Sequence, residues 1–117
     1  MNRGSIDLVI DTHMHIGTSL DFDMTEEHIL YSMKKYNIDF ALVSNTEGVE
    51  FDHKGIAIPR KLQKSQYDIN KRAIDFSKSY PDKIGVLLWI KMYNEYPDER
   101  FLKLITQLYP FLRYQFV

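Results

Sequence analysis

Apolar residues along the chain alternate between short unbroken runs and stripes at helical spacing. Residues 6–12 (Ile-Asp-Leu-Val-Ile-Asp-Thr) predict a first strand. Residues 40–43 (Phe-Ala-Leu-Val) and 84–90 (Ile-Gly-Val-Leu-Leu-Trp-Ile) are continuous apolar runs. That is the pattern of strands buried on both faces, as in parallel sheets. A helix is predicted over 25–36, where Ile29, Met33 and Tyr36 recur at spacings of four and three. Asp23 and Thr25 are candidate N-caps, Glu26 and Glu27 suit the first turn, and Asn37 suits the C-cap. A second helix is predicted over 66–80, capped by Ser65 and striped by Ile69, Ala73, Phe76 and Tyr80. A third begins near Pro97, turns Phe101, Leu104, Ile105 and Leu108 inward, and ends at Pro110. The apolar tail 111–117 follows. This β-α-β-α-β-α order predicts one α/β domain over 1–117 with parallel strands and right-handed crossovers. The interval 45–64 has no clear period, and at about 20 residues it is longer than most loops in compact domains. It leaves the C-terminal end of the second strand, the edge at which α/β folds gather ligand sites.

Composition narrows the function classes. The 117 residues are 44% hydrophobic and 26% charged, which fits a globular domain with a modest core. A net charge of -1 gives no basic excess for nucleic acid or an anionic membrane, so neither is expected as a partner. With no cysteine there is neither a disulfide nor a thiolate metal site. The longest apolar runs fall far short of the ~20 residues of a membrane span. The N-terminus shows no cleavage pattern, so a cytoplasmic location is the expectation.

The chemistry gathers at His13 and His15, directly after the first apolar run. Residues two apart on a strand share a face, so both imidazoles can aim at one point. Neutral imidazole is the commonest protein ligand for zinc and also suits iron, copper and nickel. The pair reads as half of a divalent-metal site. Asp11 shares the face by parity unless a bulge intervenes, and either orients an imidazole or pairs with a neighbouring strand. His53, flanked by Asp52 and Lys54 in the long loop, is a further candidate to reach a metal or substrate. His28 reads as surface, and Arg60, Lys61 and Lys64 as a solvated basic cluster.

Ile10-Asp11-Thr12-His13-Met14-His15-Ile16-Gly17 resembles the first-strand signature of the amidohydrolase superfamily, metal-dependent hydrolases built on a (β/α)8 barrel. Residues 37–44 are similar to that family's passage from first helix to second strand. Asn70 and residues 80–85 are similar to its passage from second helix to third strand. The resemblance covers about residues 5–95. It implies a partial TIM barrel of three β-α units, with His13 and His15 as metal ligands and zinc as the expected ion. The implied activity is hydrolysis of C–N or C–O bonds in a small molecule. In such a barrel Ser44, Asn45, Trp89 and Lys91 end the second and third strands near the pocket, with Asn45 and Lys91 placed to bind a substrate carboxylate. For Trp89 core packing is the favoured reading.

A whole barrel takes about 250 residues and eight units. The remaining ligands and the proton-handling acid of the family come from later strands, so the resemblance implies a truncated barrel, inactive as this chain. The competing expectation is a non-catalytic α/β fragment that self-associates without metal. Homo-oligomerisation is expected on either reading. Ala41, Val43, Val86, Leu88 and Ile90 include residues that would fill a barrel interior and cannot all be covered by three helices on one side.

Overall fold

The computed structural model describes residues 7–19, 22–91 and 99–112. In chain order these form β1 (Ile10–Ser19), β2 (Phe22–Met24), α1 (Glu26–Lys35), β3 (Phe40–Asn45), α2 (Gln66–Ser79), β4 (Ile84–Val86) and α3 (Glu99–Leu112), with 3-10 turns at Thr46–Gly48 and Arg60–Leu62. The fold is α/β with an open four-stranded sheet in the order β2-β1-β3-β4. β1, β3 and β4 run parallel, as the apolar runs predict, while β2 pairs antiparallel with the far end of β1.

The helix termini follow local chemistry. Thr25 caps α1: its hydroxyl accepts the His28 N–H, and the Thr25 N–H donates back to the His28 ring. His28 thus takes the place usually held by Glu or Gln in a capping box. Asn37, at φ 56°, makes the left-handed exit. Ser65 caps α2 through the Asp68 N–H. α3 runs past Pro110 to Leu112, because a proline so near the C-terminus removes a single N–H from the last turn. The start expected at Pro97 and the tail 113–117 lie outside the described residues.

One face of the sheet carries the core. Ile16, Ala41, Val43 and Ile84 pack against Ile29 and Met33 of α1 and Ala73 and Phe76 of α2. α3 extends this layer, with Leu104 and Ile105 meeting Ile74, Val86 and Leu88. Ala41, Val43, Val86 and Leu88 therefore pack under helices, a correction to their placement in a barrel interior. The opposite face carries Phe40 and Leu42, whose side chains lie across Gly85, the one β4 residue without a Cβ to obstruct them. Among the described residues no helix covers this second face.

β4 is shorter than its apolar run. Leu87 still donates its N–H to the Val43 carbonyl, but the Asn70 side-chain amide then pairs with both the N–H and the carbonyl of Trp89. A side chain of α2 has replaced the neighbouring strand, and the chain leaves the sheet. No helix among the described residues is long and apolar enough to cross a membrane.

Candidate functional site

β1 continues beyond the two histidines to pair with β2, so His13 and His15 lie inside the strand rather than just after it, as the run 6–12 suggested. Their level in the sheet is the C-terminal end of β3, where His15 is in register with Ser44. The two rings meet edge to face, with centroids 4.5 Å apart. The two-residue spacing thus brings both imidazoles together.

A bulge precedes them. Asp11 is in register with Ala41 and Met14 with Val43, so β1 spends one residue more than β3 over this interval. The shift places Asp11 in register with the helix-covered row of β3, whereas His15 stands in the row of Ser44 and Leu42. The Asp11 carboxylate accepts the backbone N–H of His13 at 2.9 Å. Its hold on His13 runs through the main chain, and that hydrogen bond supports the bulge.

The His15 ring Nδ1 lies 2.9 Å from the Ser44 hydroxyl. Partial burial pushes the His15 pKa down, the neighbouring His13 pushes it the same way, and the backbone carbonyl of Ser44 opposes them. The net direction favours neutral imidazole, the form that ligates metals.

The other sequence candidates sit elsewhere. Asn45 lies in the row of Ile16, toward the helices. Its amide donates to the Glu47 carboxylate and the Ile69 carbonyl, and its carbonyl oxygen accepts the Glu47 N–H. Lys91 is 2% exposed, with its ammonium on the Lys64 carbonyl at 2.9 Å and its N–H toward the Gln66 side chain. His53 is exposed in a hairpin closed by the Asp52 carboxylate, which accepts the N–H groups of Lys54 and Ile56, with Gly55 at φ 79°. Trp89 is half-buried and lies against Gly48 beside Ile69.

Sequence reasoning missed Glu47. Its carboxylate, only 8% exposed, receives Lys64 at 2.8 Å, Asn45 at 3.1 Å, Arg72 at 3.3 Å and the Thr18 N–H at 3.4 Å. Burial is the largest influence and pushes its pKa up, but the bonds from Lys64, Asn45 and Thr18 outweigh it and hold the carboxyl below the ordinary glutamate value. Arg72 also grips Glu26 through two nitrogens, at 2.8 and 3.0 Å. This network ties β1, the turn after β3, the long loop, α1 and α2 together at the edge that carries the histidines. A cavity of about 190 Å³ beside it is lined by Thr18, Glu47, Ile58 and Lys64 among others, and does not include His13 or His15.

Among the described residues no three His, Asp or Glu side chains converge where a metal could be held. Comparisons of the chain with protein-family models, with curated proteins and with solved structures return no match.

Proposed function

We propose that His13 and His15 are two ligands of a divalent-metal centre of the amidohydrolase kind, zinc first among the candidate ions, and that β1, β3 and β4 correspond to the first three strands of a (β/α)8 barrel. The observation that carries this reading is the ring pair itself: two imidazoles in contact, 4.5 Å between centroids, at the C-terminal level of a parallel strand. The donor set suits the metal. Both groups are imidazoles, the environment of His15 favours its neutral form, and Asp11 braces the backbone at His13. A zinc ion bound there would polarise a substrate carbonyl and lower the pKa of a bound water, the chemistry of small-molecule amide and ester hydrolysis. The contribution of this chain is to hold and orient two ligands. Structural zinc takes four ligands and catalytic zinc three plus water, so the pair alone binds loosely and these 117 residues turn over no substrate.

A second reading has its own support. The described residues supply no third ligand, and the sheet face away from the helices carries the apolar side chains of Phe40 and Leu42. On that reading the chain is a non-catalytic α/β unit that associates with itself and holds no metal. One experiment separates the two. The purified chain is brought to equilibrium dialysis against a fixed free zinc concentration and its bound metal measured, beside His13→Ala, and both are assayed on simple esters and amides with zinc or manganese. We expect more zinc on the wild type than on His13→Ala, and background turnover from both. Equal metal content would favour the second reading. Turnover abolished by His13→Ala would contradict the assignment of an incomplete centre.

A further inference from the structure

The cavity beside the Glu47 network lies at the same end of the sheet as the histidines, but apart from them. The end of β1, the turn after β3 and the long loop enclose it. Loops at the C-terminal edge of parallel strands are where α/β folds gather ligand sites. Its volume of about 190 Å³ is that of about six water molecules at ~30 Å³ each, room for a ligand of about as many heavy atoms.

The lining sets what such a ligand must carry. Val49, Ile58 and Leu62 offer an aliphatic wall. The two charged lining residues, Glu47 and Lys64, cancel in an ion pair of 2.8 Å, so the cavity has no net charge to attract an ion. Glu47 is saturated: Oε1 accepts from Asn45 and Arg72, and Oε2 from Lys64 and Thr18. The Lys64 ammonium has three N–H groups, and Glu47 is its one side-chain partner among the described residues. The orientation of the Gln63 amide is fixed, because its nitrogen meets the Ile58 carbonyl at 2.7 Å and a carbonyl only accepts. Gln63 Oε1 is then buried with no hydrogen-bond partner among the described residues. A buried acceptor without a partner is costly, so this atom calls for a donor. We infer that the cavity binds a small uncharged aliphatic alcohol, whose hydroxyl donates to Gln63 Oε1 and accepts from Lys64 while its alkyl part lies on Val49, Ile58 and Leu62. A hydroxyl does both with a single oxygen. A carboxylate has no proton for Gln63 and would meet Glu47, and an ammonium has no lone pair for Lys64. The assignment uses neither histidine, so it stands or falls without the metal.

Proton–nitrogen correlation spectra of the labelled full chain, titrated with butan-1-ol, test it. The backbone amides of Thr18, Val49, Gln63 and Lys64 should shift together and saturate in the millimolar range. Butyrate and butylammonium, which put a charge of either sign on the same alkyl chain, should bind about tenfold more weakly, the scale of one hydrogen bond to a charged group. Lys64→Met, which removes the ammonium, should weaken butan-1-ol by about the same factor. Ile58→Phe, which fills the cavity, should abolish its binding. Spectra of each variant without ligand report its folding, and the comparison of the three ligands on the wild type needs no variant. Absent or scattered shifts would mean a cavity that holds only water and would overturn the inference. Equal binding of either ion, or undiminished binding by folded Lys64→Met or Ile58→Phe, overturns it as well.

Discussion

At the scale of single residues, the edge that bears the histidines is held by side chains that each serve several partners, Glu47 and Arg72 first among them. Glu47 is held below its ordinary pKa by the groups that surround it. A carboxyl depressed in the folded state contributes stability above its unfolded pKa and loses it as pH falls through the folded value. Stability should therefore decline as pH drops below about 4.3, and urea titrations across the acid range should show a shallower decline in Glu47→Gln. Near neutral pH the same substitution should cost about 1.5–3 kcal/mol, the scale of a hydrogen bond to a charged group. Gly17 is equally constrained. It sits at φ 108°, and a Cβ there would meet the side chains of Asn45 and Glu47. Gly17→Ala should lose about 1–3 kcal/mol through backbone strain and crowding, read as a lower melting temperature. His13 and His15 were legible because strand parity is local. Glu47 was not, since its partners lie on β1, in the long loop and on α2, and no spacing in the sequence announces them.

At the scale of elements, periodicity, caps and apolar runs pointed to all three helices and to three parallel strands, although β1 runs Ile10–Ser19, later than the 6–12 run that announced it. Thr25 and Ser65 are caps in the structure as the sequence suggests, because a cap answers to its next three residues. Thr25→Ala should destabilise the chain by about 0.5–2 kcal/mol in chemical denaturation, since the hydroxyl satisfies the His28 N–H. Three features escaped the sequence, each for a pairing reason. The bulge between Asp11 and Met14 exists only relative to β3, and it reverses the parity that placed Asp11 beside the histidines. β2 spans three residues, too few to show a period. β4 ends at Val86 because Asn70 of α2 takes over the backbone of Trp89, a contact across 19 positions that an apolar run cannot reveal. The same arrangement draws Lys91 toward Lys64 and Gln66, where its ammonium serves the fold.

At the scale of the whole molecule, three helices cover one face of a mostly parallel sheet. The second face and the start of β1 leave apolar surface, with Leu8 75%, Val9 40% and Ile10 54% exposed among the described residues. Parallel sheets are ordinarily covered on both sides, and a twofold dimer is the commonest closed arrangement. Light scattering at micromolar concentration should find a species heavier than the 13.9 kDa chain, and a monomer of that mass, stable on dilution, would count against association. The pairing of His13 with His15 as metal ligands is the central claim, and calorimetric titration with zinc tests it most directly. The wild type should bind one zinc ion per histidine pair, and His13→Ala and His15→Ala should each remove the binding while leaving the melting temperature of the metal-free chain nearly unchanged. Zinc heats that are the same in the wild type and in the doubly substituted chain would contradict the account.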